Sequence, residues 1–131
     1  MSGAGRDRAR RADAERLDRL ARLVRLHAEA ARARAGRAVR EEGQLADALS
    51  ALDTARAGAL AQMDARAAPD PATVAAMGAY LRKSDGDRAR LNVQLAALRA
   101  RSQTARREAA KAVARQAIVE RLCRRAGRQL S

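Results

Sequence analysis

From Leu17 to Ala59, steps of three and four residues in alternation land on Leu17, Leu20, Val24, His27, Ala31, Arg34, Ala38, Glu41, Leu45, Ala48, Leu52, Ala55 and Ala59. Leu23, Leu26, Leu49, Leu60 and Met63 widen this mostly apolar stripe. From Val74 the same stepping lands on Met77, Leu81, Ser84, Arg88, Leu91, Leu95, Leu98, Ser102, Ala105, Ala109, Ala112, Gln116, Val119, Cys123, Ala126 and Leu130. An apolar period of about 3.5 residues is the pattern of helices packed along a seam.

Between the two stripes lies AAPDPATV, residues 67–74, which holds both prolines of the chain. Pro69 disfavours helical backbone at Ala68, so the first helix is predicted to end near Ala67. Asp70 followed by Pro71 suits an N-cap and first helical position, where the missing proline N–H costs nothing. So short a connection makes the two helices antiparallel neighbours. The predicted fold is all-α, a long two-helix antiparallel coiled-coil hairpin in one domain. It comprises a flexible basic N-terminus (1–12), a first helix (13–67), a turn (68–70) and a second helix (71–130). Within KSDGD, Gly86 stands among poor helix formers and marks 84–87 as the expected point of a break in the second helix. Folding at the prolines pairs positions whose numbers sum to about 140: Met63 with Met77, Leu60 with Tyr80, Leu49 with Leu91, Leu45 with Leu95 and Leu20 with Val119.

Composition narrows the picture to a thin structure. The 131 residues are 47% hydrophobic, but much of this is alanine, with no Trp or Phe and a single Tyr80. Aromatic side chains supply the largest buried areas in compact cores, and this chain lacks them. Charged residues make up 33% and the net charge is +13. That surplus is uneven: residues 1–40 carry +7, residues 41–80 carry −4 and residues 81–131 carry +10. In a hairpin folded at the prolines, the end bearing both termini is strongly basic and the turn end neutral to acidic, a field suited to an acidic partner at one end. The longest apolar run is far short of the ~20 residues a bilayer requires. The N-terminal MSGAGRDRARRADAERL is basic with no apolar segment behind it, so it does not read as a secretory signal. A single cysteine, Cys123, cannot form an internal disulfide, in keeping with a reducing cytoplasm.

Convergent catalytic chemistry is not legible. There is one histidine, His27, which falls on the stripe and reads as a packed or half-exposed seam residue. Cys123 reads as a small buried hydrophobe. Glu41 and Glu42 read as a solvated face, and GAGRDRARR lacks the strand and the G-K-[ST] ending of a phosphate-binding loop. The chain is therefore read as a non-enzyme with no cofactor and no metal. The arginine clusters Arg6, Arg8, Arg10, Arg11 and Arg121, Arg124, Arg125, Arg128 leave three readings open: a solvated face, a surface for an acidic protein, or a phosphate-binding surface. No aromatic side chain interleaves them for base stacking, so no specific nucleic-acid partner is expected.

Three stretches resemble one family. RLDRLARLVRLHAEAARARA (16–35) is similar to the start of the FliJ stalk proteins of flagellar type III export. AYLRKSDGDRARLNVQLAAL (79–98) resembles their middle segment through Tyr80-Leu81 and Gln94. KAVARQAIVERLCRRAG (111–127) resembles their C-terminal end, where Val119-Glu120-Arg121-Leu122 matches a recurring aliphatic-Glu-basic-Leu step. Ser84 and Gly86 stand where that family more often continues an apolar helix. The resemblance covers nearly the whole chain and implies a cytoplasmic stalk on the cytoplasmic side of a membrane export apparatus. By that resemblance, the terminal end enters the central hole of a hexameric export ATPase. The turn end reaches the cytoplasmic domain of the export gate, and export chaperones also bind. Residues assigned to the ring contact are Arg16, Leu17, Arg19, Leu20, Arg22, Glu120, Arg121, Leu122 and Arg124. Those assigned to the gate are Met63, Met77, Tyr80, Leu81 and Arg82. A stalk of a virulence-type secretion system, a small basic nucleic-acid-binding coiled coil and a generic coiled-coil adaptor remain as alternatives.

Overall fold

The turn forms around Asp70. In the computed structural model, which describes residues 2–130, the Asp70 carboxylate accepts a hydrogen bond from the Thr73 backbone N–H at 2.7 Å, and the Val74 N–H donates to the Asp70 carbonyl at 3.1 Å. These bonds cap helix α2 (Pro71–Leu130), with Pro71 at its first position. Helix α1 runs from Ser2 to Asp64 and packs antiparallel against α2, and no strand occurs among the described residues. The fold is the two-helix hairpin that the stripe and the prolines predict.

Three boundaries differ from expectation. The connection spans 65–70 rather than 68–70, closed on the α1 side by Ala65 N–H to Ala61 O at 3.1 Å and Arg66 N–H to Met63 O at 3.2 Å. Met63 is the last half-buried residue of α1 and everything from Asp64 to Ala72 is exposed, so α1 ends where packing ends, before Pro69 forces it to. At the other end, residues 2–12, expected as a flexible basic segment, are helical; Met1 lies outside the described residues. Residues 3–11 are exposed, so this stretch rests on its own hydrogen-bond ladder, which adds one bond per residue once a helix is nucleated. The third correction is at 84–87, where α2 continues without a break. Ser84 is buried in the seam, Asp85 pairs with Arg56 across the helices at 2.9 Å, and Asp87 pairs with Arg90 one turn on. Tertiary packing thus overrides the poor local propensity.

Along α2 the seam follows the expected stripe from Met77 to Ala126. Every position is buried or half-buried except Arg88, while Val74 is exposed and the Leu130 side chain lies outside those described. Along α1 only alternate positions match. Leu17, Val24, Ala31, Ala38, Leu45, Leu52 and Ala59 are buried or half-buried as expected. Between them the helix turns inward Ala21, Ala28, Ala35, Glu42, Leu49 and Arg56, and not Leu20, His27, Arg34, Glu41, Ala48 and Ala55, all of which are exposed. The α1 seam therefore steps by four then three, not three then four. This phase obeys the register, because each α1 seam position from Leu17 to Met63 sums to 140 with an α2 seam position. The expected levels Met63–Met77, Leu49–Leu91 and Leu45–Leu95 join half-buried or buried residues, whereas Leu60, Tyr80 and Leu20 lie outside the seam. Val119 is level with Ala21.

The chain divides into two compact units. The first joins the residues up to Arg37 with those from Gln103 onward. Its core cluster is Ala28, Ala31 and Ala112, with Ala109 and Val113 half-buried against them and Val119 buried at the level of Ala21. Each methyl contributes little, about 0.8 kcal/mol per buried carbon, so stability here depends on close backbone approach and not on large side chains. The half-buried Cys123 thiol donates to the Leu17 carbonyl at 3.3 Å, which ties the two helices at that level.

The second unit, from Ala38 to Ser102, has a more polar seam. Leu95 is its buried apolar residue, accompanied by buried Ser84 and Ser102. Arg56 occupies a seam position level with Ser84, whose small side chain leaves room for the arginine to cross to Asp85. Arg88 reaches Asp53 at 3.3 Å and Arg99 reaches Glu42 at 3.6 Å, so three cross-helix ion pairs lie along this unit. Ser102 is level with Ala38, where the space admits only a small side chain, and its buried hydroxyl has no partner.

Two measurements test these assignments. Placing leucine at the packed level, Ala28→Leu, is expected to cost about 1–3 kcal/mol through overpacking. His27→Ala, one residue away but exposed, should stay within about 0.5 kcal/mol by thermal or urea unfolding; equal effects would refute the phase. The second concerns Asp70, whose carboxyl is held below the usual aspartate range chiefly by the Thr73 backbone N–H and also by its hydroxyl. Its contribution is present above the unfolded value of about 3.9 and is lost as pH falls through the lowered folded value. Wild type and Asp70→Asn should therefore differ by a constant melting temperature above about pH 5, and the gap should shrink below about pH 4.

Candidate partner-binding surface

The seam phase decides which side chains are left facing outward. In heptad notation Leu17 and Val24 take d and Ala21 and Ala28 take a, while on α2 Val119 takes d and Gln116 and Cys123 take a. In an antiparallel pair, like flanks meet. Arg25 and Glu120, both at e, approach to 4.0 Å on one side. Asp13 and Leu122, both at g, line one shallow groove with Leu17, Arg125 and Ala126 on the other. Leu20 is also at g, so it shares the flank of Leu122.

On that g flank the first unit exposes a group of aliphatic side chains. Leu20 is 43% exposed, Leu23 64%, Ile118 53% and Leu122 41%, with Leu26 beside them at 61%. The register places Leu20 and Leu23 on α1 level with residues 120 and 117 on α2, so the four fall at neighbouring levels of one flank, and Ile118 and Leu122 line one hollow with Arg121 and Arg125. Sequence reasoning assigned Leu23 and Leu26 to a widened seam and did not single out Ile118. The signal that finds all three is the reflection of the α2 stripe through the turn, which leaves them outside the paired positions. Apolar groups of this kind, rimmed by polar residues, mark interaction sites.

The residues assigned to the ring contact divide by environment. Arg16, Arg19, Arg22, Arg121 and Arg124 are exposed, and Leu20 and Leu122 are partly so. Arg16 pairs with Asp13 at 3.4 Å within α1. Leu17 and Glu120 serve the hairpin itself: Leu17 is half-buried beneath the Cys123 thiol, and Glu120 accepts from the Gln116 amide at 2.9 Å and faces Arg25. Charge follows the same division into units. The first unit carries 19 basic and 7 acidic side chains, a net +12, against 9 and 8 in the second, a net +1.

Of the residues assigned to the gate, Met63, Met77 and Leu81 are half-buried in the seam, which leaves Tyr80, 37% exposed, and Arg82 facing out. Arg82 lies against Gly78, where a β-carbon would stand 3.5 Å from its guanidinium. His27 is exposed and Cys123 half-buried, and they lie on different faces of the seam register. Among the described residues no cluster of three His, Cys, Asp or Glu side chains is placed to hold a metal, and no helix is long and apolar enough to cross a membrane. Compared with family models, curated proteins and solved structures, the chain matches none.

If the aliphatic group is a surface feature, Leu23→Gln combined with Ile118→Gln should leave unfolding within about 0.5 kcal/mol of wild type. Leu95→Ala, in the seam of the second unit, should cost about 2–5 kcal/mol by the same measurement. A comparable loss in both would place Leu23 and Ile118 in the core.

Proposed function

We propose that this protein is a non-enzymatic stalk of a flagellar type III export ATPase, held by its terminal unit in the hexameric ring. The observation that carries this reading is the coincidence, in one unit, of a net +12 charge and exposed aliphatic side chains at Leu20 and Leu122. Charge steers an encounter with an acidic surface, and desolvated leucines hold it. The resemblance of 16–35, 79–98 and 111–127 to the FliJ stalk proteins supplies the identity of the partner. Alanine-rich packing in the same unit supports the reading, since small seam residues keep a helix pair narrow enough for a pore.

In this reading the second unit, with its balanced charge and exposed Tyr80 and Arg82, meets the cytoplasmic domain of an export gate, and export chaperones share the exposed flanks. The protein works on the cytoplasmic side of the membrane through these partners.

The test is retrieval of the chain from lysate of its source cells at moderate salt, followed by identification of the retained protein and assay of its ATP turnover. A hexameric ATPase at one chain per ring is expected. Arg121→Glu with Arg124→Glu should weaken the association more at low salt than at high, because exposed charges are screened beyond about 10 Å at 0.1 M. Saturable retention of RNA or DNA at physiological salt, with a slope near 0.9 per phosphate on duplex DNA and no ATPase, would replace this reading with nucleic-acid binding.

A further inference from the structure

We propose that the g flank of the first unit is a docking groove for an acidic amphipathic helix, which would complete a three-helix bundle over Leu20, Leu23, Ile118 and Leu122. The groove shares Leu20 and Leu122 with the ring contact above, but the inference does not depend on what protein bears the helix.

Shape comes first. Leu20 and Leu122 sit at g positions next to the seam and are less exposed than Leu23 and Ile118, which stand further out at c positions. The inner pair borders the seam on both helices, and the outer pair widens the apolar strip to either side. A helix lying along two antiparallel helices presents one apolar stripe to such a strip, as ridges enter grooves in bundles. A phosphate backbone has nothing to bury there.

Charge then selects the occupant. Over residues 16–27 of α1 and 111–125 of α2, the g and c positions hold Arg16, Lys111, Arg115 and Arg125 around the four aliphatics, with His27 as the remaining member; the acids of this flank, Asp13 and Glu108, stand at g just beyond these segments, and Asp13 pairs with Arg16. Arg16 has Asp13 as an ion-pair partner, whereas Lys111, Arg115 and Arg125 have none among the described residues. The acids of these segments, Asp18 and Glu120, lie at e on the opposite flank, where Glu120 meets Arg25. A second copy of this chain would bring a unit of net +12 against another, and like charges facing each other oppose association. The complement is a helix with leucine on one face and glutamate or aspartate on its sides.

The full-length chain can be titrated with a synthetic peptide that has leucine at heptad a and d positions and glutamate at the others. Like-charge repulsion keeps this peptide unfolded alone near pH 7, so circular dichroism reports its folding on the protein. The expected result is saturable binding of one peptide per chain with a rise in helicity. Leu23→Gln with Ile118→Gln should weaken binding by about tenfold or more, and Val93→Gln, exposed in the second unit, should leave it unchanged. Substituting Lys111, Arg115 and Arg125 by Glu should reverse the preference toward the peptide's lysine counterpart. The inference is overturned if the glutamate peptide does not bind, if the lysine peptide binds wild type equally well, or if the Leu23/Ile118 variant binds like wild type. It is also overturned if those two substitutions instead abolish self-association, binding to anionic vesicles or binding to duplex DNA. No ATPase is present in the assay, so its failure leaves the proposed function standing and the reverse is equally separable.

Discussion

Close approach of the two helices through small side chains is the constraint on which the rest of this structure depends. In the first unit the buried cluster is Ala28, Ala31 and Ala112, with Val119 buried further along and no aromatic residue among them. Such packing gains little area per residue, so its value lies in dispersion contacts between backbones brought near each other. At the Ala21 and Ala28 levels it favours small side chains over leucine. A helix that turns Ala21 and Ala28 inward must turn Leu20, Leu23 and Leu26 outward, because one residue of rotation is about 100°. The exposed aliphatic flank is thus a direct consequence of the alanine seam, and the two cannot be varied independently.

Charge is organised by the same division. In the second unit the cross-helix pairs Arg56–Asp85, Arg88–Asp53 and Arg99–Glu42 bring opposite charges together, and basic and acidic residues nearly balance. The members are partly exposed, so each pair adds modestly to stability; their larger effect is on register, since a slip of one residue would part all three. In the first unit Arg25–Glu120 crosses between helices at the limit of an ion pair, and basic side chains outnumber acidic ones by 19 to 7. Self-repulsion of that surplus works against the unit's own stability.

How much of this was legible follows from side-chain size. The turn was, because Asp70 and Pro71 act through local geometry that needs no partner. The α2 stripe was, because Leu81, Leu91, Leu95 and Leu98 announce it. The α1 phase was not, because hydrophobicity favours Leu20 over Ala21 while packing opposite Val119 and Ala112 favours the smaller residue. Arg34 and Glu41 on the expected stripe were the warning, yet Glu42 and Arg56 show that charge alone does not decide, since both enter the true seam and pair across it. Reflecting the well-marked α2 stripe through a register sum of 140 resolves the phase without any scale. At 84–87 local propensity pointed to a break that the seam does not permit, and at 65–67 it allowed a helix that has nothing to pack against.

The candidate site inherits this error and its correction. With the seam one residue out of phase, Leu20 appears as a packing residue whose replacement by a charge would unfold the hairpin, and Leu23 and Leu26 merely broaden the stripe. With the phase set by alanine packing, the same side chains become surface, and Leu17 and Glu120 become structural. A hairpin stabilised by small residues needs none of its outward leucines for its own folding. Aliphatic side chains exposed without structural need, on one flank beside basic residues, are not accounted for by how the unit folds, and the proposed docking of a partner gives them a role.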